Sequence, residues 1–101
     1  MNLDLKNINK AFENKVRLGI MSALMVNEEL DFSSLKSLLE LTDGNLASHT
    51  RSLEEMGYIQ SKKQFVGRKP NTTYAITPEG RVAFTDHLNA LESFLRNSMR
   101  K

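Results

Sequence analysis

The clearest pattern of hydrophobic and polar positions lies between residues 42 and 57, TDGNLASHTRSLEEMG. Its apolar face, spaced as in an α-helix, carries Leu46, Thr50, Leu53 and Met56. Thr42 is a suitable N-cap, because its hydroxyl can accept a hydrogen bond from the first turn. Gly57 is the type of residue that often ends a helix in the left-handed conformation. The stretch therefore predicts one amphipathic helix with a marked start and end.

The opposite face of this predicted helix is short and polar. It carries Gly44, Asn45, Ser48, Arg51, Ser52 and Glu55. Small side chains allow the helix backbone to approach a ligand closely, and Asn, Ser and Arg can bond base edges or phosphates. We therefore predict a DNA recognition helix, with Arg51 the best single candidate because a guanidinium can bond guanine bidentately or hold a phosphate. Asp43 either favours the positive end of the helix dipole or accepts a bond from a cytosine amino group.

A second apolar pattern lies directly before this helix, in SSLKSLLEL. Ser33 is the predicted cap, and the predicted buried stripe consists of Leu35, Leu38 and Leu39. Only Glu40 and Leu41 separate this helix from Thr42, so residues 33–57 predict a helix-turn-helix. Ser34 and Lys36 are predicted to meet a phosphate at the helix start, and Ser33 either does the same or serves only as a cap.

The N-terminal part of the chain predicts further helical structure. Residues 3–13 place three apolar side chains on one helical face: Leu5, Ile8 and Phe12. Residues 14–26 continue a helical pattern, and Asn14 can cap a new start, so the pattern allows either one long helix or two. The apolar-polar-apolar run Leu30-Asp31-Phe32 predicts only a short strand.

After Gly57 the pattern changes to strand-like segments. Residues 58–65 and 72–76 predict two strands, and residues 66–71 predict a loop that Pro70 stiffens. Four basic residues and no acidic residue lie between positions 62 and 69, whereas the formal net charge of the whole chain is only +2. The hairpin, or wing, at 58–77 is therefore the predicted electropositive feature. The wing residues predicted to contact DNA are Lys63, Arg68 and Lys69.

The final segment begins with Thr77-Pro78-Glu79, a strong helix start. The predicted helix runs toward Asn97 and carries a broad apolar stripe: Phe84, Leu88, Leu91, Phe94 and Leu95. This is more apolar surface than a terminal helix of a small domain needs. We therefore predict a homodimer whose interface includes residues 1–13 and 78–98.

Composition excludes several classes of function. The chain has 101 residues, enough for a single domain, and no cysteine, so neither disulfides nor thiolate metal ligands occur. His49 and His87 are far apart in sequence and have no spacing typical of a metal site; His49 either bonds a phosphate or is a half-buried histidine. No nucleophile motif or glycine-rich phosphate loop is present. We expect a cytoplasmic protein that is not an enzyme, with no cofactor and no membrane segment.

The order of these elements, and several short motifs, resemble a known family. LTDGNLASH, the GRKP wing and the TPEG helix start resemble small bacterial and archaeal winged-helix regulators related to the MarR and ArsR types, from about Arg17 to Leu91. One departure is Thr50, where the pattern usually has leucine. The resemblance implies an α+β, mainly α fold, a winged helix-turn-helix with a two-stranded wing. It also implies a homodimeric regulator that binds double-stranded DNA and dimerises through its N- and C-terminal helices.

Two alternatives remain open at this level. The apolar terminal helices would also suit a winged-helix module that binds another protein rather than DNA. A regulator that responds to a small-molecule effector is a third variant, and the sequence identifies no pocket for one.

Overall fold

The chain forms four α-helices and one antiparallel sheet in a computed structural model that describes residues 8–99. The elements in chain order are a 3₁₀ turn (Lys10–Phe12), α1 (Lys15–Met25), β1 (Leu30–Asp31), α2 (Phe32–Leu39), α3 (Asp43–Glu55), β2 (Ile59–Val66), β3 (Lys69–Ile76) and α4 (Pro78–Met99). The predicted α+β, mainly helical winged helix-turn-helix is confirmed. The sheet has three strands in the order β1-β3-β2, one more than the predicted wing.

The N-terminal segment does not form an α-helix within the described residues. It is a single 3₁₀ turn capped by Asn9, and Leu5 lies outside the described range. α1 begins separately, because the Asn14 side chain accepts hydrogen bonds from the backbone N–H groups of Val16 and Arg17 at 2.8 and 3.2 Å. The alternative that the sequence left open is therefore resolved in favour of two elements.

Both helices of the helix-turn-helix end in the same way. In α2, Glu40 adopts the left-handed conformation, and the Leu41 N–H donates to the carbonyl of Lys36 at 3.0 Å. In α3, Gly57 takes the left-handed position and the Tyr58 N–H donates to the carbonyl of Leu53 at 3.0 Å. These are Schellman motifs, which satisfy the free carbonyls of a helix end. The motif at Glu40 produces the tight turn into α3 without a glycine.

Two predictions about α2 are wrong. Its cap is Asp31, whose Oδ1 accepts from the Ser34 N–H at 2.7 Å, whereas Ser33 already lies in the first turn. This cap also ends β1, so one residue serves both the sheet and the helix. Leu38 is 61% exposed and does not belong to the buried stripe, in which Leu35 is fully buried. The helix is only eight residues long and therefore presents a narrow apolar face to the core.

The wing is longer and tighter than predicted. β2 and β3 pair from Ile59↔Ile76 to Val66↔Lys69, leaving a two-residue turn in place of the predicted loop at 66–71. Gly67 has a φ of 67°, and no non-glycine residue of the turn has a positive φ, which is the geometry of a type II′ turn. Pro70 therefore lies within β3. It is tolerated there because alternate pairs of an antiparallel ladder are not hydrogen-bonded, so its missing N–H is not needed.

One continuous core lies under the sheet and between the helices. Its largest fully buried side chains include Phe12, Phe84, Ile20, Met21, Leu24, Leu35, Leu46, Leu53 and Ile59. α1 contacts both helices of the helix-turn-helix and β3, so it occupies the centre of the packing. The inner side of α3 thus rests on a packed core, and this fixes which of its sides is available to a ligand.

Candidate nucleic-acid interface

The inner face of α3 is firmly packed. Leu46 and Leu53 have no exposed surface, and Thr50 is 2% exposed. The Thr50 hydroxyl donates to the backbone carbonyls of Leu46 and Ala47, at 2.8 and 3.1 Å. Threonine in place of leucine therefore leaves no unpaired polar group in the core. Met56, predicted on this face, instead follows the helix as its C-cap and is 43% exposed, because the chain turns away there.

The outer face of α3 is open. The exposed residues are Gly44, Asn45, Ser48, Arg51 and Glu55, while Ser52 is half-buried. A Cβ placed on Gly44 would have no neighbour within 4 Å, so the backbone there is accessible. Among residues 8–99, Arg51 takes part in no ion pair. A 13-residue helix is about 20 Å long, and its width fits a DNA major groove.

The start of α3 is tied to α2 by an ion pair. Lys36 Nζ lies 2.8 Å from Asp43 Oδ1, and the Thr42 hydroxyl accepts from the Asn45 N–H at 3.2 Å. Asp43 carries its charge in the first turn of α3, as its first predicted role requires, and its contact with a cytosine stays a prediction. Both side chains of the pair are substantially exposed, and such surface pairs are weak. Lys36 can therefore exchange this carboxylate for a phosphate at little cost.

The two serines at the start of α2 differ in their contact with the Asp31 cap. The Ser34 N–H donates to Asp31 Oδ1 at 2.7 Å, and the hydroxyl of Ser34, followed by this N–H, lowers the pKa of the Asp31 carboxyl below its ordinary value. Ser33 is exposed at the same helix start. Of the two hydroxyls, that of Ser33 is the one the Asp31 cap does not engage.

His49 is half-buried and held by a residue that the sequence did not indicate. Arg17 Nε donates to His49 Nδ1 at 3.1 Å, so the neutral imidazole carries its proton on Nε2. Burial, followed by the nearby Arg17 charge, lowers the pKa of His49 below its ordinary value. At neutral pH the ring therefore presents one N–H donor and no charge. Arg17 lies 32 residues earlier on α1, and no local pattern signals this contact.

The cations predicted to contact DNA lie at the tip of the wing and farther down β2. Lys63, Arg68 and Lys69 are all exposed, and no ion pair within residues 8–99 includes them. No acidic residue occurs between Ile59 and Ile76. The wing is joined to α3 near its base, where the Ser61 hydroxyl donates to Glu54 Oε2 at 2.8 Å. The basic hairpin therefore projects beside the open face of α3.

The residues predicted for a dimer interface fall into three groups. Phe12 and Phe84 are 1% exposed and pack edge to face with ring centroids 5.1 Å apart. They therefore belong to the core of this chain and are not available to the predicted dimer contact. Ile8, Leu91 and Phe94 are half-buried. The exposed members are Leu88 at 41% and Leu95 at 60%.

Other kinds of site find little support in the described part of the chain. No three His, Asp or Glu side chains of residues 8–99 lie close enough together to hold a metal ion. None of the described helices is apolar over the length that a bilayer crossing requires. One surface hollow, of about 240 Å³, lies between α1 and the end of α2. A second, of about 520 Å³, lies along the first turns of α4 and is lined by Pro78, Glu79, Val82, Ala83 and Asp86. Typical small-molecule pockets bury most of their ligand, whereas the first hollow is small and the second is a shallow surface open to solvent.

Comparison with known proteins supports this geometry. The family described as "Winged helix DNA-binding domain" matches residues 16–95. The uncharacterized protein MJ0432 of Methanocaldococcus jannaschii is 38% identical over 88 residues, which cover 87% of this chain and 96% of that protein. A structure of a transcriptional regulator homologue from Pyrococcus horikoshii OT3 superimposes with a TM-score of 0.85 and 35% identity, covering 95% of this chain and 97% of that one.

More distant structures share the fold. YusO of Bacillus subtilis has a TM-score of 0.80 at 17% identity and covers 94% of this chain and 67% of its own. The resemblance to small winged-helix regulators, read from the LTDGNLASH, GRKP and TPEG motifs, is confirmed. A packed inner face on α3, an open polar outer face and a basic hairpin beside it are the parts of one known architecture, and the chain belongs to the winged helix DNA-binding domain family.

Proposed function

We propose that this protein is a homodimeric transcriptional regulator that binds double-stranded DNA with sequence preference. The observation that carries the proposal is the contrast between the two faces of α3, one buried in the core and the other uncovered and polar. In this arrangement α3 enters the major groove, and Asn45, Ser48 and Arg51 contact base edges or phosphates. Such a regulator acts in the cytoplasm, where bacterial and archaeal DNA lies.

The wing supplies affinity rather than sequence preference. Arg68 and Lys69 at the turn, with Lys63 farther down β2, approach the backbone and the minor groove beside the major groove that α3 occupies. Each phosphate neutralised releases counterions, so binding weakens as salt rises. At the N-terminal end of α3, Ser33 and Lys36 of α2 and Thr42 contact the phosphates that flank the groove, and His49 contacts a phosphate from the middle of α3. Ser52, half-buried, forms the edge of this surface.

The dimer forms through the exposed ridge of α4. Leu88 and Leu95 lie on this ridge, with Leu91 and Phe94 half-buried beside them. A two-fold dimer places two α3 helices at half-sites one turn of DNA apart, about 34 Å. Sedimentation mass tests this directly: the parent should sediment as a dimer, and Leu95→Glu should shift it toward the monomer, because a charge cannot be buried at an apolar interface.

The DNA-binding proposal is tested on duplexes selected from a random pool. Arg68→Ala should weaken binding to all sequences alike and lower the slope of log affinity against log salt by about one, because one phosphate contact is lost. Arg51→Ala should instead change which sequence is preferred. Arg96→Ala is the control, since it removes one cation near the end of α4, where Arg96 pairs with Glu92. If Arg51→Ala and Arg68→Ala both bind as the parent does, the docking arrangement is wrong.

A second candidate is a protein-contact module whose working surface is α4. The observation that favours it is the exposed apolar surface of this helix, which includes Val82 at 62%. The two functions differ in a simple assay. A regulator should retard duplex DNA at about 100 mM salt and resist competition by unrelated duplex, whereas a protein-contact module should do neither.

A further inference from the structure

Besides its cations, the wing presents an exposed apolar surface that has no role in the proposed function. Phe65 is 74% exposed near the end of β2, and Pro70 lies directly opposite it on β3 and is also exposed. Facing residues of a non-hydrogen-bonded antiparallel pair have closely spaced side chains. The two rings therefore form one small apolar knob at the tip of the wing. Leaving a phenylalanine so exposed gains nothing for folding.

The direction of this knob follows from the pairing register. Successive side chains of a strand alternate faces, so Phe65 shares a face of β2 with Ile59, Ser61 and Lys63. Ile59 is buried in the core, and the Ser61 hydroxyl donates to Glu54 of α3. This face of the wing is therefore turned toward α3. Phe65 lies four residues beyond Ser61, about 13 Å farther out along the same face. It therefore projects beyond the helical body on the side of α3.

The charge around the knob selects its partner. Lys63 is on the same face, Arg68 and Lys69 follow at the turn, and residues 59–76 contain no acid. A cationic rim disfavours a second copy of this wing, because like charges would meet. It favours a polyanion that also offers apolar surface within reach of its charges. Duplex DNA does this in the minor groove, where the walls are deoxyribose and the rims are phosphate.

We propose that Phe65, supported by Pro70, packs against the deoxyribose wall of the minor groove and positions the wing on the duplex. This inference rests on the proposed function and adds a contact of a different chemical kind to it. An apolar contact with sugar releases no counterions and reads no base edge. It therefore contributes affinity that depends little on salt or on sequence, while the cations beside it provide the salt-dependent part.

The first test compares affinity and salt dependence among variants. Phe65→Ala should weaken duplex binding about tenfold, because roughly half of a phenylalanine side chain loses its contact, while the salt slope stays at the parent value. Val66→Ala is the matched control, because Val66 is 62% exposed on the opposite face of the same strand. The affinity of this variant for duplex DNA should stay within about twofold of the parent value. A fall in the salt slope for Phe65→Ala, or an equal loss for Val66→Ala, overturns the inference.

The second test observes the side chain itself. The chain contains no tryptophan, so Phe65→Trp and Val66→Trp each introduce a single tryptophan, which long-wavelength excitation separates from the two tyrosines. Acrylamide quenches the fluorescence of an accessible tryptophan. On duplex binding, the tryptophan at position 65 should become protected from this quenching, and the tryptophan at position 66 should stay accessible. Heparin, a polyanion without a minor groove, should leave both accessible. Equal protection by heparin, or no protection by DNA, contradicts the inference.

The failure of this inference is distinguishable from failure of the proposed function. If the parent binds duplex and Arg68→Ala weakens that binding while Phe65→Ala does not, only the apolar contact is wrong. If the parent binds no duplex at all, the proposed function and the inference both fail. Because Phe65 is largely exposed, its replacement should leave the unfolding temperature unchanged, and this is checked for each variant.

Discussion

The wing has a base and a tip, and the two differ in almost every physical respect. At the base, Gly57 and Tyr58 meet Thr77 and Gly80, where the end of α3 is joined to the start of α4. The Thr77 hydroxyl donates to the carbonyl of Gly57 at 2.6 Å and accepts from the Gly80 N–H at 2.9 Å. The Thr77 N–H donates to the carbonyl of Tyr58 at 3.0 Å. At the tip, Phe65 to Lys69 are all exposed.

The base also reaches the N-terminal segment. Asn9 donates from its side chain to the Tyr58 hydroxyl at 3.1 Å and from its backbone to His87 Nδ1 at 2.9 Å. His87 is 2% exposed and packs against the rings of Phe12 and Phe84. The residues at the base are thus chosen by packing and hydrogen bonding within the chain. Those at the tip have no such constraint within the chain, which is why we propose that they contact DNA.

The largest expected effect is at Gly80. A Cβ at this position would lie 2.0 Å from the carbonyl oxygen of Tyr58, and backbone cannot yield as a side chain can. Gly80→Ala should lower the free energy of unfolding by at least about 3 kcal/mol in chemical denaturation. Gly44→Ala is the control, because nothing lies within 4 Å of its Cβ and alanine favours a helix by less than about 1 kcal/mol. If Gly80→Ala and Gly44→Ala changed the free energy of unfolding equally, the tight packing at the base of the wing would not matter for stability.

A smaller effect is expected for the hydroxyl that links the helices. Thr77→Val keeps the shape of the side chain but removes both of its hydrogen bonds, one of which is an N-cap bond to the Gly80 N–H. The free energy of unfolding should fall by about 1–2 kcal/mol. Thr72→Val, on β3 opposite Lys63, is the matched substitution outside the base and should cost less. An unchanged stability of Thr77→Val would show that the hydroxyl at the base is unimportant, and an equal or larger loss for Thr72→Val would show that the base is not special.

The buried histidine gives a prediction that depends on pH. Burial lowers the pKa of His87, and the nearby Glu13 only partly opposes this, so the folded state binds a proton less readily than the unfolded state. The stability that neutral His87 contributes is present above its ordinary pKa of about 6.5 and is lost as pH falls below it. His87→Gln retains an acceptor but does not titrate. The stability difference between parent and variant should therefore shift in favour of the variant from pH 7 to 5.

His49 titrates in the same direction and is present in both of these proteins, so it cancels in the difference. A difference that stays constant across this range would mean that His87 is not held neutral in the folded state. The measurement is urea unfolding of both proteins at matched ionic strength.

The smallest effect on folding is expected at the tip. Replacing Arg68 and Lys69 together by alanine should change the free energy of unfolding by less than about 0.5 kcal/mol, because both side chains are exposed. The same variant should bind duplex DNA more weakly than the single Arg68→Ala variant. If the double variant is as destabilised as Thr77→Val, the tip contributes to folding and its separation from the base is wrong.

Sequence reasoning succeeded where the signal was local. The start of α3 at Thr42, its end at Gly57 and the start of α4 after Thr77 were all predicted from capping chemistry, which depends on neighbouring residues only. It failed where a distant element decided the outcome. Asp31 displaced Ser33 as a cap, and residues 69–71 joined a strand because β2 offered a complete register. Phe84 looked like interface surface because the sequence did not show that Phe12 would cover it.

In the candidate site, too, local features could be predicted and contacts between distant elements could not. The polar face of α3 and the cations of the wing could be identified from spacing and charge alone. The Lys36–Asp43 pair, the bond from Arg17 to His49 and the exposure of Phe65 could not, since each depends on how separate elements pack.

The amino-acid sequence by itself determined the bounds of α3, the basic hairpin and the order of elements, because helix caps, turn residues and periodicity act within a few residues. Only the tertiary structure decided which apolar side chains remain outside the core. Burial depends on contacts between residues far apart in the chain, such as Phe12 with Phe84, and no local pattern contains that information.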